Sequence, residues 1–106
     1  MANALTTGTS RSAYSYTETV SSGGNTIIDM RPHAANLATK PATLFCEKQV
    51  TVELTSSADP DAADWFPCTE LSFASGGTAT INSYVTGIKI TDASTSANKI
   101  AVVAPA

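Results

Sequence analysis

Charge is scarce in this sequence. Lys, Arg, Asp and Glu make up 14% of its 106 residues, with a formal net charge of −3. The basic residues, Arg11, Arg31, Lys40, Lys48, Lys89 and Lys99, are spread along the chain. No basic stripe is left to neutralise phosphates, so nucleic acid is not an expected partner. Nor does any stretch read as a basic amphipathic helix that would lie on a membrane. Apolar runs are short, and none approaches the roughly 20 residues that cross a bilayer as a helix. Residues 1–8 hold neither a charged leader nor an apolar stretch, so no signal peptide is expected. The chain is expected to be made in a cytoplasm and to stay there or leave by lysis.

Reactive side chains are equally few. There is one histidine, His33, and there are two cysteines, Cys46 and Cys68, 22 positions apart. That spacing fits neither a zinc site nor a redox pair, and one His adds too little to make a ligand cluster. Both cysteines are expected as thiols, although the sequence leaves a pairing between them open. Cys46 shares parity with Leu44, Val50, Val52 and Leu54, which makes it a small core residue. Ser, His and Asp all occur, but no Gly-x-Ser-x-Gly turn presents a nucleophile. His33, directly after Pro32, reads as an exposed or capping imidazole. No enzyme activity and no cofactor are expected. The one concentration of carboxylate, Asp59, Asp61 and Asp64, is a weak candidate for Ca²⁺, which takes six to eight oxygens. It lacks the glycine and terminal glutamate of an EF-hand loop, and a solvated turn capping a short helical step into Trp65 is the favoured reading.

What the chain does have is strand grammar. Ala, Ser and Thr dominate, and the β-branch of Thr suits a pleated surface. Residues 13–20 predict a strand with Tyr14 and Tyr16 on one face, and 26–30 a short strand buried on both faces. Pro32 ends it. Residues 43–56 predict the longest strand, bulged near Lys48, which would otherwise point inward. Trp65 to Phe73 is interrupted by Pro67 and predicts an edge strand or two short pieces. Further strands are expected over 78–82, 84–91 with a bulge at Gly87, and 98–104. Gly23-Gly24 and Gly76-Gly77 read as turn glycines, with no strand-to-helix context for phosphate binding. The expectation is all-β: one small antiparallel β-sandwich of seven or eight strands over 13–106, with a flexible N-terminal arm over 1–12.

A longer pattern runs from Val50 to the C-terminus. Val50-Thr51-Val52-Glu53-Leu54-Thr55-Ser56-Ser57, an acidic turn and Trp65 precede a Gly-Gly turn and Thr80-Ile81. Then come Tyr84-Val85-Thr86-Gly87-Ile88-Lys89-Ile90-Thr91, a small-residue loop and Ile100-Ala101-Val102-Val103. This half of the chain resembles the small β-sandwich virion proteins of tailed bacteriophages. Pro67 and Cys68 depart from the short polar residues that pattern has after the Trp. The resemblance implies a structural component of a virus particle, a capsid decoration or cement protein that binds the major capsid protein or other virion proteins. It also implies a location in the virion after synthesis in the host cytoplasm. A homo-oligomer is expected, because small β-proteins hide their edges by assembly. Leu5, Tyr14, Tyr16, Trp65 and Phe66 are the expected contact residues. Two alternatives stand beside this: a tail, neck or fibre protein, and a carbohydrate-binding module. The second would use Tyr14, Tyr16, Trp65 and Tyr84, with Ca²⁺ at the acidic turn.

Overall fold

Two sheets of five strands face each other across an aliphatic core. The computed structural model describes residues 2–7, 13–62, 64–68, 72 and 75–105. In chain order the strands are β1 (Asn3–Ala4), β2 (Thr6–Thr7), β3 (Ala13–Val20), β4 (Asn25–Asp29), β5 (Ala42–Cys46), β6 (Val50–Thr55), β7 (Phe66–Pro67), β8 (Gly77–Ile81), β9 (Gly87–Asp92) and β10 (Asn98–Pro105). Two single turns of 3₁₀ helix, η1 (Ala34–Asn36) and η2 (Pro60–Ala62), sit in the connections. Sheet one has the order β1-β4-β9-β6-β7, and sheet two β2-β3-β10-β5-β8. Among the described residues, only the β1–β4 pairing is parallel; the other pairings are antiparallel. The all-β sandwich expected from the sequence is the fold observed.

Consecutive strands mostly lie in opposite sheets. The chain changes sheet between β1 and β2, β3 and β4, β4 and β5, β5 and β6, β7 and β8, β8 and β9, and β9 and β10. Period-2 alternation therefore turns each strand's apolar side toward the partner sheet. Ile28 and Met30, Leu44, Val50 and Val52, Ile88 and Ile90, and Ile100 and Val102 meet in the middle, each at most 2% exposed. Cys46 joins them at 8% exposure, as its parity predicted. Cys46 and Cys68 are both free thiols, and burial raises the Cys46 pKa.

The structure differs from the sequence reading in four places. Residues 43–56 are two strands in different sheets, and the break at Lys48 is a corner where the chain crosses between them. Asn98, fully buried, braces that corner. Its Oδ1 accepts from the Lys48 backbone N–H at 3.0 Å, and its Nδ2 donates to the Gln49 carbonyl at 3.1 Å and to Asp92 Oδ1 at 3.3 Å. Second, β4 is buried on one face only, alternating along its length. Third, the register of β9 runs unbroken from Gly87 to Thr91 with β4 and to Asp92 with β6, so no bulge falls there. The change of parity comes instead from the bend before the strand, where Val85 and Thr86 are both buried.

The fourth difference is the N-terminal segment. Asn3 and Ala4 pair with Ile28 and Asp29 at the rim of sheet one, and Thr6 and Thr7 pair with Ser15 and Tyr14 at the rim of sheet two. Residues 3–7 thus form a clip over both edges on one side of the sandwich, where an arm was expected. Leu5 lies at the crossing, 9% exposed and part of the core. The side chain of Asn3 donates to Thr26 Oγ1 at 3.0 Å and to the Ile27 carbonyl at 3.2 Å, fastening the clip. Residues 1 and 8–12 of the expected arm lie outside the described residues.

Candidate functional site

With aliphatic side chains filling the space between the sheets, chemistry is left to the outer surfaces, and the two outer faces differ. On sheet one, the strand registers bring Glu53 opposite Lys89, and Lys89 opposite Ile27. Part of this face is covered. The segment bearing Pro60 lies over Gly87 together with Trp65: an added Cβ there would lie 3.0 Å from Pro60 and Thr55 and 3.1 Å from Trp65. Lys89 Nζ stands 6.0 Å from the centroid of the Trp65 ring, a cation–π distance. Arg31 ties the same segment down. Its Nη1 donates to the Ala58 carbonyl at 3.1 Å, while Nη2 pairs with Asp29 Oδ2 at 2.9 Å. That guanidinium holds the Asp29 carboxyl below its ordinary pKa.

Sheet two presents a different surface. Its registers align Thr19 with Lys99, Thr17 with Ala101 and Phe45, and Ser15 with Val103 and Thr43; Thr78 and Thr80 continue the same face on β8. These side chains point away from the core, since their strand neighbours Tyr16, Leu44, Ile100 and Val102 point in. Lys99 is the one charge in that set. Glu47 lies at its margin, where Oε1 accepts from the Lys99 backbone N–H at 3.0 Å. Phe45 stands 41% exposed beside a shallow groove of about 370 Å³ that runs along Ile100, Ala101, Gly77 and Thr78. A face with so little charge is what natural sheets avoid unless something covers it.

The residues expected to make contacts do not gather on either face. Leu5 is in the core. Tyr14 and Tyr16 are half-buried against it on the inner side of sheet two. The Tyr16 hydroxyl donates to Glu18, and burial followed by that hydrogen bond raises its pKa. Trp65 is half-buried over Gly87, while Phe66 is 65% exposed on the edge strand β7. Tyr84, in the β8–β9 loop, is 60% exposed. Of the four aromatics of the sugar-binding alternative, Tyr14 and Tyr16 are thus half-buried on the inner side of sheet two, apart from Trp65 on the outer face of sheet one. The sequence reading missed Phe45. Its signal was there: an aromatic on the solvent parity of a strand whose other parity carries Leu44 and Cys46.

The acidic segment is a capped turn. Asp59 Oδ1 accepts from the Asp61 backbone N–H at 3.0 Å as the chain enters η2. Among the described residues, Asp59, Asp61 and Asp64 are not brought into a group of three that could hold a metal, and no other such group of His, Cys, Asp and Glu occurs. His33 lies at one end of the sandwich, its ring 5.0 Å from that of Tyr14.

No family model matches the chain, and no curated protein matches it. Solved structures are similar in fold. An oxalate oxidase in complex with glycolate superposes with a TM-score of 0.54 at 12% identity, over 88% of this chain and 41% of the oxidase. The cupin domain of Schizosaccharomyces pombe Cnp3 superposes with a TM-score of 0.54 at 7% identity, over 95% of this chain and 57% of that one. BH2720 from Bacillus halodurans gives a TM-score of 0.55 at 11% identity, over 90% and 64%. At such identities the likeness is one of fold: a β-sandwich similar to a cupin domain. The chain spans about two fifths of the oxalate oxidase it matches.

Proposed function

We propose that this chain is a structural subunit of a tailed-phage particle, a decoration or cement protein that binds the assembled head without catalysis. The observation that carries the reading is the outer face of sheet two: Thr17, Thr19, Thr43, Thr78, Thr80, Ala101 and Val103 around an exposed Phe45, with Lys99 as the one charge. Small, uncharged side chains desolvate cheaply, and a half-exposed aromatic beside an apolar groove is the kind of anchor that dominates an interface. The interior adds support, being packed with aliphatic side chains. The resemblance of residues 50–103 to phage virion sandwiches supplies the particle.

The mechanism is mass action. A subunit that binds the closed shell and not its loose parts stabilises the shell in proportion to its occupancy. The expected partner is the major capsid protein, and neighbouring copies of this chain meet on the lattice.

The test begins with copy number per purified particle, relative to the major capsid protein, by quantitative mass spectrometry. Hundreds of copies fit a shell coat. A few dozen would move the protein to the tail, neck or fibres, and absence from particles would sink the virion reading. The surface itself is tested with Phe45→Glu against Thr51→Glu, a control on the outer face of sheet one. Shell binding is expected to fall at least about tenfold for the first and to hold for the second. Equal binding by both variants would remove the face of sheet two from the argument.

A further inference from the structure

The outer face of sheet two is complementary to itself. In the ladder between β5 and β10, Phe45 lies opposite Ala101 and Thr43 opposite Val103. Two residues along, Glu47 lies opposite Lys99. The Glu47 backbone N–H donates to the Lys99 carbonyl at 3.1 Å, and Glu47 Oε1 accepts from the Lys99 N–H at 3.0 Å. On the flanking strands, Thr78 pairs with Phe45, and Thr17 with Ala101. Phe45, Ala101, Glu47 and Lys99 all line one groove of about 370 Å³, and both charged side chains are exposed. The two central strands therefore set unlike residues side by side: large beside small, anion beside cation.

A two-fold axis laid along this face, parallel to the strands and midway between β5 and β10, exchanges the two columns. Lys99 then meets Glu47 of a second copy, and Glu47 meets its Lys99, so one contact makes two ion pairs. Phe45 stands over Ala101 of the second copy, where the small side chain leaves the groove open. The two Phe45 rings come next to each other across the axis, at about the 4.8 Å spacing of neighbouring strands. Thr43 meets Val103, and Thr78 meets Thr17. The contact is closed, with the same patch used on both copies. Two copies of a chain with a net charge of −3 repel each other overall. Opposed ion pairs at the centre of the contact offset that repulsion and fix the register.

We propose that the free chain forms a symmetric dimer through the outer face of sheet two, in this register. The second copy takes Phe45, 41% exposed in the single chain, out of water. The pairing does not rest on the shell reading. The two uses of the face exclude each other, so a dimer has to part before either copy binds a shell.

Sedimentation equilibrium of the full chain, with no particle present, tests this. The wild type should show a monomer–dimer equilibrium. Lys99→Glu leaves carboxylates facing each other at both pairs, and Glu47→Lys leaves ammonium groups facing each other. Each variant alone should dimerise at least about tenfold more weakly. Mixed in equal amounts, the two variants regain both ion pairs between unlike copies, and a heterodimer should form with an affinity close to the wild type's. Native mass spectrometry with one variant ¹⁵N-labelled separates it from the homodimers. Rescue in the mixture also shows that neither variant is misfolded. A wild type that stays monomeric to roughly millimolar concentration overturns the proposal. So does a dimer that either variant leaves intact, or a mixture that stays as weak as its components. No capsid protein enters the readout, so failure here leaves the shell reading to its own test.

Discussion

Gly76 is where a single missing side chain sets the path of the backbone. A Cβ there would lie 2.2 Å from the carbonyl oxygen of Glu47 and 2.6 Å from its carbonyl carbon, so two backbone segments pass at a distance open only to glycine. Gly76→Ala is expected to destabilise the fold by about 2 kcal/mol or more, because backbone has to move. Its neighbour gives the contrast: nothing lies within 4 Å of a Cβ on Gly77. Gly77→Ala should stay within about 0.5 kcal/mol of wild type, with the lost freedom of the unfolded chain favouring it. Urea unfolding of the two variants side by side decides whether the approach to Glu47 or the Gly-Gly dipeptide as such matters.

Three other residues write the pH dependence. His33 is held below its ordinary value of 6.5 by partial burial. As pH falls through 6.5, protons bind the unfolded chain before the folded one, and stability drops until the folded value is passed. Asp29, hydrogen-bonded by Arg31, and Asp92, hydrogen-bonded by Ser94, are both held below 3.8. Their contribution is complete above 3.8 and is lost as pH falls through the folded values. Urea midpoints measured from mildly alkaline to strongly acidic pH should show a shallow first step and a separate acid step. His33→Gln should erase the first and leave the second. Retention of the first step in that variant would assign it to another group.

Among the elements, the N-terminal clip carries the most consequence per residue. β1 and β2 hold two residues each, yet they form the rim of both sheets on one side. Leu5 between them anchors the clip in the core. Leu5→Ala is expected to cost about 2–4 kcal/mol in urea unfolding, through lost burial and the cavity left behind. Deleting residues 2–7 should cost more and uncover β4 and β3 together, giving concentration-dependent self-association on size exclusion. The same placement changes what an N-terminal truncation can say about function. Loss of particle binding on truncation would report on the fold as much as on a contact, so exposed point substitutions such as Phe45→Glu are the sharper probe.

The corner at Glu47-Lys48-Gln49 makes the same point about elements. Alternation from Leu44 to Leu54 is nearly continuous, and Lys48 alone breaks it. Only contacts from elsewhere in the chain turn that break into a change of sheet: Asn98, itself held by Asp92, bonds the corner backbone, and Ser96 and Ala97 take the Lys48 ammonium at 2.7 Å each. A lysine in an otherwise apolar parity is a legible mark of interruption. Whether the interruption is a bulge, a turn or a crossing is a long-range matter.

For the molecule as a whole, the pairing of β3 with β10 is decisive. Val20 pairs with Asn98 and Ala13 with Pro105, so nearly the full length of the chain is closed by one ladder. The radius of gyration, 12.6 Å, is that of a compact domain of this length. With most strands paired to distant rather than adjacent strands, loop-closure entropy has to be met before the contacts form. Refolding from urea is expected on the millisecond-to-second scale seen for β-sandwiches, and a stopped-flow fluorescence record of Trp65 measures it. Folding in microseconds would contradict the importance of this topology.

The sequence by itself determined the class of fold, most of the strands and the inward parity. Those follow from local alternation and turn residues, which act within a few positions of one another. It also determined that charge and reactive groups are few, as composition needs no geometry. Tertiary structure alone decided which strands share a sheet, because a strand facing its neighbour across the core and one paired with it in a ladder carry the same alternating pattern. It decided that residues 3–7 belong to both rims, since two-residue strands have too few side chains to show a period. It decided, too, that Phe45 rather than Trp65 stands on the open, sparsely charged face of sheet two, and that the rings of Tyr14 and His33 lie 5.0 Å apart. Proximity between distant segments is set by the packing of the two sheets, and no local run of residues contains it.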